Sequence, residues 1–281
     1  MVIKRETKTT VRQIIIFAAL VNVLGWLGPV LGGSPTEPGL GLLVWGVAPI
    51  VSALIMRFVL RDKVSLGFGL KLRGNGRYYL LSLLFYPVII LLVLVLGLLL
   101  GASTISSFTG AEFMVALMPI AITSFIFGFF EEVGWRGYLA PKVAEIHTGL
   151  LGHTIVGLIW ASWHFPYLRE LWGHTSEGMT TLLPRFILGT IIAAIVYGEI
   201  RMRTRSVWPA VLMHGIGNTV ANTLLAGTDG AALMTLVPGK EWLSSFGIEG
   251  VIMIALSGLL AAVLYRKRHN LKLALTHPTY S

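Results

Sequence analysis

The chain has 281 residues, 55% of them hydrophobic and 12% charged, with a formal net charge of +9. A soluble domain carries about twice that share of charge, so the composition excludes an ordinary soluble fold and indicates an all-α polytopic membrane protein. There is no cysteine, which excludes disulfides, thiol catalysis and cysteine metal sites.

Runs of about 20 apolar residues are long enough to span a bilayer as helices. Eight such runs occur, at 13–31, 40–60, 78–100, 113–139, 150–166, 181–200, 207–225 and 248–265. The connections are short, so residues 1–281 are expected to form one integral domain whose motif-bearing core is 113–225. The first run has basic flanks, a long apolar core and no small-residue cleavage site, which reads as a retained span. Of the 22 basic residues, 18 fall in the N-terminus, the second, fourth and sixth connections and the C-terminus. By the positive-inside rule both termini are expected in the cytoplasm, and the membrane to be of the cytoplasmic type. The positive charge is therefore topological, with a secondary attraction to anionic lipid. It gives no reason to expect a nucleic-acid partner.

The fourth run ends in two carboxylates, Glu131 and Glu132, followed by Arg136. Ionisable side chains in a membrane helix are costly and by default mark function. At helical spacing Glu132 and Arg136 share a face and can pair. Glu131 is rotated about 100° away, and no partner is expected for it on its own helix. Three further polar groups interrupt apolar runs. His164 lies on the fifth, and His214 and Asn218 lie one turn apart on the seventh, beside Gly215 and Gly217, which permit close helix approach.

A rise of 1.5 Å per residue places Glu131 about 16 Å from the cytoplasmic end, provided its helix continues to Pro141. The same rise puts His164 about 20 Å along the fifth helix, and His214 and Asn218 about 10 and 16 Å along the seventh. The groups meet at one depth only if the fourth helix is the longer one. Peptide hydrolysis needs a base to activate water and donors for the developing oxyanion. Glu131 suits the base, His164 a second hold on the water, and His214 with Asn218 the oxyanion site.

The pattern E-E-x-x-x-R, F-x-x-x-H and H-x-x-x-N/D on separate helices resembles the CPBP family of intramembrane endopeptidases. That family includes type II CAAX prenyl proteases and Abi-type immunity proteins. The matching residues are Glu131, Glu132 and Arg136, then Trp160 and His164, then His214 and Asn218. Trp160 departs from the family's Phe, which bears on pocket shape. The resemblance implies an eight-helix fold with a cytosol-facing conical cavity and metal-free catalysis without a cofactor. It also implies Glu131 as the water-activating residue, His164 as its partner, His214 and Asn218 as oxyanion stabilisers, and Glu132 and Arg136 in support. The implied partner is a membrane-bound or lipidated polypeptide substrate.

Blander readings accompany these. Glu132 and Arg136 can simply form a helix-orienting ion pair, and a membrane histidine can be an interhelical hydrogen-bonder. We expect His153 at a helix interface, Arg57 and Arg185 snorkelling, Glu199 as a solvated partner of nearby arginines, and Pro166 and Pro209 at helix ends. The only aspartates, Asp62 and Asp229, lie in connections, against aspartyl proteolysis. No G-x-S-x-G elbow or H-E-x-x-H pair is present. Glu131, His164 and His214 could instead ligate zinc. Outside hydrolysis, the alternatives are a non-catalytic immunity or scaffold protein binding a peptide in the same cavity, and a proton-coupled transporter.

Overall fold

The computed structural model describes residues 2–34, 37–106, 110–171, 175–226 and 232–276. Every apolar run forms a helix. They are α1 (Val2–Trp26), α2 (Leu40–Leu54), α3 (Gly76–Leu99), α4 (Gly110–Ala144), α5 (Leu150–His164), α6 (Met179–Thr204), α7 (Trp208–Ala226) and α8 (Val251–Thr276). Five of them, α1, α2, α3, α4 and α6, are long and apolar enough to cross a membrane. The protein is thus an all-α integral membrane protein. The expected outer segments around 172–174 and 227–231, including Asp229, lie outside the described residues.

Alternating helix directions put the basic connections at one end of the bundle. At the other end, strands β1 (Ser103–Ile105) and β2 (Met234–Leu236) pair antiparallel, with Thr104 opposite Thr235. This small sheet ties the connection after α3 to the one after α7.

The long fourth helix required for a common depth is present. Its apolar part, Gly110–Glu132, runs directly into a π-helical turn, Val133–Leu139, and ends in Ala140–Ala144. The π turn coincides with buried Trp135, Arg136 and Tyr138, a local widening of the kind found at functional sites. At Gly134, α4 lies so close to α2 that an added Cβ would come within 2.8 Å of the Pro49 backbone. Pro166 sits in a 3₁₀ turn directly after α5, and Pro209 in the first turn of α7.

Some charged groups differ from expectation. Glu199 is completely buried, bonded to His153 Nε2 at 3.0 Å and to Arg203. Its position beside a basic cluster suggested solvation, but α5 and α8 cover it. His153 takes the interface role expected of it. Arg185 reaches back to the start of α6, where one of its nitrogens lies 2.7 Å from each oxygen of Glu177. Asp62 lies in a connection as expected, and there it is buried and accepts from Tyr138 at 2.7 Å and Lys142 at 3.1 Å.

Candidate active site

Two tryptophans aim their indole N–H groups at one carboxylate oxygen. Glu131 Oε2 accepts from Trp160 at 2.9 Å and from Trp135 at 3.3 Å. Trp135 lies four residues on in the same helix, so Glu131 does have a partner there, contrary to expectation: the partner is a neutral indole rather than a charge. The other oxygen, Oε1, is 3.7 Å from His214 Nε2. Glu131 is only 5% exposed, and the exposed part faces a cavity.

Glu132 points the other way into the bundle and is wholly buried with Arg136. Its Oε1 accepts from Arg136 at 3.0 Å and from His214 Nδ1 at 2.8 Å. A carboxylate can only accept, so Nδ1 of His214 carries a hydrogen and the ring is held with Nε2 towards Glu131. The remaining Arg136 nitrogens, Nε and one terminal group, have no hydrogen-bond partner among the described residues. The guanidinium instead lies 4.1 Å from the Trp160 ring and 4.4 Å from the Tyr197 ring, where the negative ring faces attract a cation. Glu132 and Arg136 therefore form the expected pair, and that pair also holds His214 and frames Trp160.

His164 is buried at the C-terminal end of α5, and its Nδ1 donates to the Trp160 carbonyl at 3.1 Å. That bond assigns the Nδ1–H tautomer and leaves Nε2 as an acceptor. The ring is packed by Trp163 and Phe186, with centroids at 4.6 and 5.4 Å. Asn218 lies one turn beyond His214 on α7 and lines the same cavity. Tight α4–α7 packing brings His214 to Glu131. A Cβ on Gly128 would meet His214 and the Gly215 nitrogen at 3.3–3.4 Å, and one on Gly215 would strike the Phe125 ring.

The cavity has a volume of about 380 Å³, within the range of small-molecule and peptide pockets. Glu131, His164, His214 and Asn218 all line it, whereas Glu132 and Arg136 stand behind the wall. Among the described residues, no three His, Asp or Glu side chains are grouped so as to hold a metal ion. Two contributors were missed by sequence reasoning. Trp135 stands in the sequence only as motif context and Trp160 only as a pocket-shaping ring, although an indole N–H in an apolar helix next to a buried carboxylate is a donor in need of an acceptor.

The cavity has a direction. From Glu131 it runs past Asn218 to Asn222, Leu42 and Ile248, at the end of the bundle away from the basic connections. The sequence expectation combined a cytosolic basic end with a cytosol-facing cavity; none of the lining residues belongs to a basic connection. The cavity face came from the resemblance, whereas the basic end was read from this chain's own arginines and lysines.

Fold and site together define an integral membrane protein with a buried carboxylate–histidine centre at the floor of an intramembrane cavity. Residues 112–220, which contain all three motifs, match the family described as type II CAAX prenyl endopeptidase Rce1-like. The motif-bearing segment is thus similar to that family, in keeping with the resemblance its motifs carry. The chain is 28% identical to CAAX prenyl protease 2 of Methanococcus maripaludis, over 52% of this chain and 58% of that protein. It is 24% identical to lysostaphin resistance protein A of Staphylococcus haemolyticus, over 78% of this chain and 58% of that protein. In both cases the chain spans somewhat more than half the length of the relative it matches.

Proposed function

We propose that this protein is an intramembrane endopeptidase in which Glu131 activates the water that attacks a peptide bond of a membrane-bound or lipidated polypeptide. The observation that carries the proposal is the Glu131 carboxylate at the cavity floor, with His164, His214 and Asn218 lining the same space. In this reading the two indole donors hold Oε2, and Oε1 remains the basic oxygen. Water sits between Oε1 and the acceptor Nε2 of His164. As the tetrahedral intermediate forms, charge develops on the carbonyl oxygen, and preorganised donors there supply much of the rate enhancement. Asn218 offers its amide. His214 can donate from Nε2 only when both ring nitrogens are protonated, since Nδ1–H is already given to Glu132. Catalysis then uses His214 as an imidazolium between two carboxylates. The proton taken by Glu131 passes to the leaving amine. The protein sits in a cytoplasmic-type membrane with both termini in the cytoplasm.

The test is cleavage by purified protein of a C-terminally farnesylated peptide, an N-acylated peptide and a single-span peptide, with products read by mass spectrometry. Wild type cuts at least one of them with or without chelator. Cleavage abolished by chelator would instead make Glu131, His164 and His214 metal ligands.

A second reading has one observation in its favour. The alignment with lysostaphin resistance protein A covers more of this chain than the alignment with the protease. In that reading the cavity holds a peptide without cutting it. Unchanged peptide binding with no product from wild type would favour it.

A further inference from the structure

The connection 61–75 lies across the basic end of the bundle and is hydrogen-bonded to α6 and to the start of α7. Arg201 donates to the carbonyls of Arg136 at 2.8 Å and Ser65 at 2.9 Å. The Val207 amide donates to Gly67 at 2.9 Å, the Trp208 indole to Phe68 at 2.7 Å, and Asn75 to Thr204 at 3.3 Å. Gly67 has φ +76°, and its missing Cβ leaves room for the Arg201 guanidinium, 2.7 Å from where that atom would be. Val64 and Leu66 of the connection are buried, as are Trp135 and Tyr138 between it and Glu131. Hydrolysis consumes water, and none of the residues lining the cavity belongs to this connection.

The cavity leads the other way. On the 1.5 Å rise, His214 lies about 9 Å from the basic end of α7 and Asn222 about 6 Å from its opposite end. Thr123 and Asn222 line the cavity and are exposed, whereas Glu131, His164 and His214 at its floor are buried. Asn218 and Asn222 stand one turn apart facing Ser124 and Thr123 of α4. This file of amides and hydroxyls in a mostly apolar wall offers hydrogen bonds to an extended backbone.

We infer that the cavity opens at the face opposite the basic connections, and that the site receives a polypeptide segment presented from the non-cytoplasmic side. The substrate part rests on the endopeptidase reading, but the accessibility part does not. With the basic end cytoplasmic, a cytosolic polypeptide tail meets the connection 61–75 and not the cavity lining. A chain already exported, or the outer end of a membrane span, meets the lining.

The chain has no cysteine, so single cysteines report access directly. Thr123→Cys and Asn222→Cys probe the cavity, Arg73→Cys the basic connection and Lys240→Cys the opposite face. Each variant is treated with a membrane-impermeant maleimide in right-side-out and inverted vesicles from the expression host. The expectation is that the two cavity variants share the sidedness of Lys240→Cys, reacting at least tenfold faster in the vesicles where that variant reacts. Arg73→Cys should show the opposite preference. Cavity variants that label with the sidedness of Arg73→Cys, or in neither vesicle type, overturn the inference. Opposite-face labelling combined with absent peptide cleavage would leave the access geometry standing and remove the endopeptidase reading alone.

Discussion

Replacing Arg136 with methionine is expected to cost far more than the loss of one salt bridge. Glu132 and Arg136 are both completely buried and 3.0 Å apart. Removing one partner of such a pair leaves an uncompensated charge in low dielectric, which costs about 3–5 kcal/mol. The same substitution removes the guanidinium from the Trp160 and Tyr197 rings at 4.1 and 4.4 Å, each contact being worth about 0.5–2 kcal/mol. These terms share partners and do not simply add. Domains somewhat smaller than this lose about 2–4 °C in Tm per kcal/mol, so Arg136→Met should lower the unfolding midpoint in detergent by roughly 10 °C. Neutralising both partners, Glu132→Gln with Arg136→Met, removes the stranded charge and should recover at least half of that loss. His214 keeps an acceptor in the double variant through the glutamine carbonyl. A single variant within about 1 °C of wild type, or a double variant less stable than the single, would refute the reasoning.

Other outcomes follow from the same geometry. Trp160→Phe removes one donor to Glu131 but keeps a ring face for Arg136, so the protein should fold with a loss of about 1–3 kcal/mol. Trp160→Ala should cost about 3–5 kcal/mol, and equal unfolding midpoints for the two variants would count against the ring contact. Gly134→Ala drives a methyl into the Pro49 backbone and should cost about 1–3 kcal/mol through overpacking, visible as a lowered midpoint.

Much of the frame was legible because its signals are local. An apolar run of 20 residues is a helix in a bilayer for reasons internal to the run, and all eight runs proved helical. The Glu132–Arg136 pair is an i, i+4 relation, and the depth argument placed Glu131, His164 and His214 in one cavity because helical rise is nearly constant. What was missed has several causes. Trp135 stands four residues after Glu131, but a tryptophan in an apolar run reads as packing rather than as a hydrogen-bond donor. The bond from His214 to Glu132 depends on the α4–α7 packing at Gly128 and Gly215, invisible in either segment alone. Glu199 looked solvated because it neighbours Arg201, Arg203 and Arg205, yet it is buried with Arg203 bonded to it. The hydrogen bonds that tie the connection 61–75 to α6 and α7 lie outside the motifs and leave no mark in the sequence pattern.

The most direct measurement is the paired behaviour of wild type and Glu131→Gln in one detergent preparation, reading both unfolding midpoint and cleavage of the peptide that wild type cuts. Glutamine keeps an oxygen for the two indole donors but cannot take a proton from water. The account predicts midpoints within about 2 °C of each other and a loss of roughly a thousandfold or more in kcat. Retained cleavage by a folded Glu131→Gln protein would contradict it.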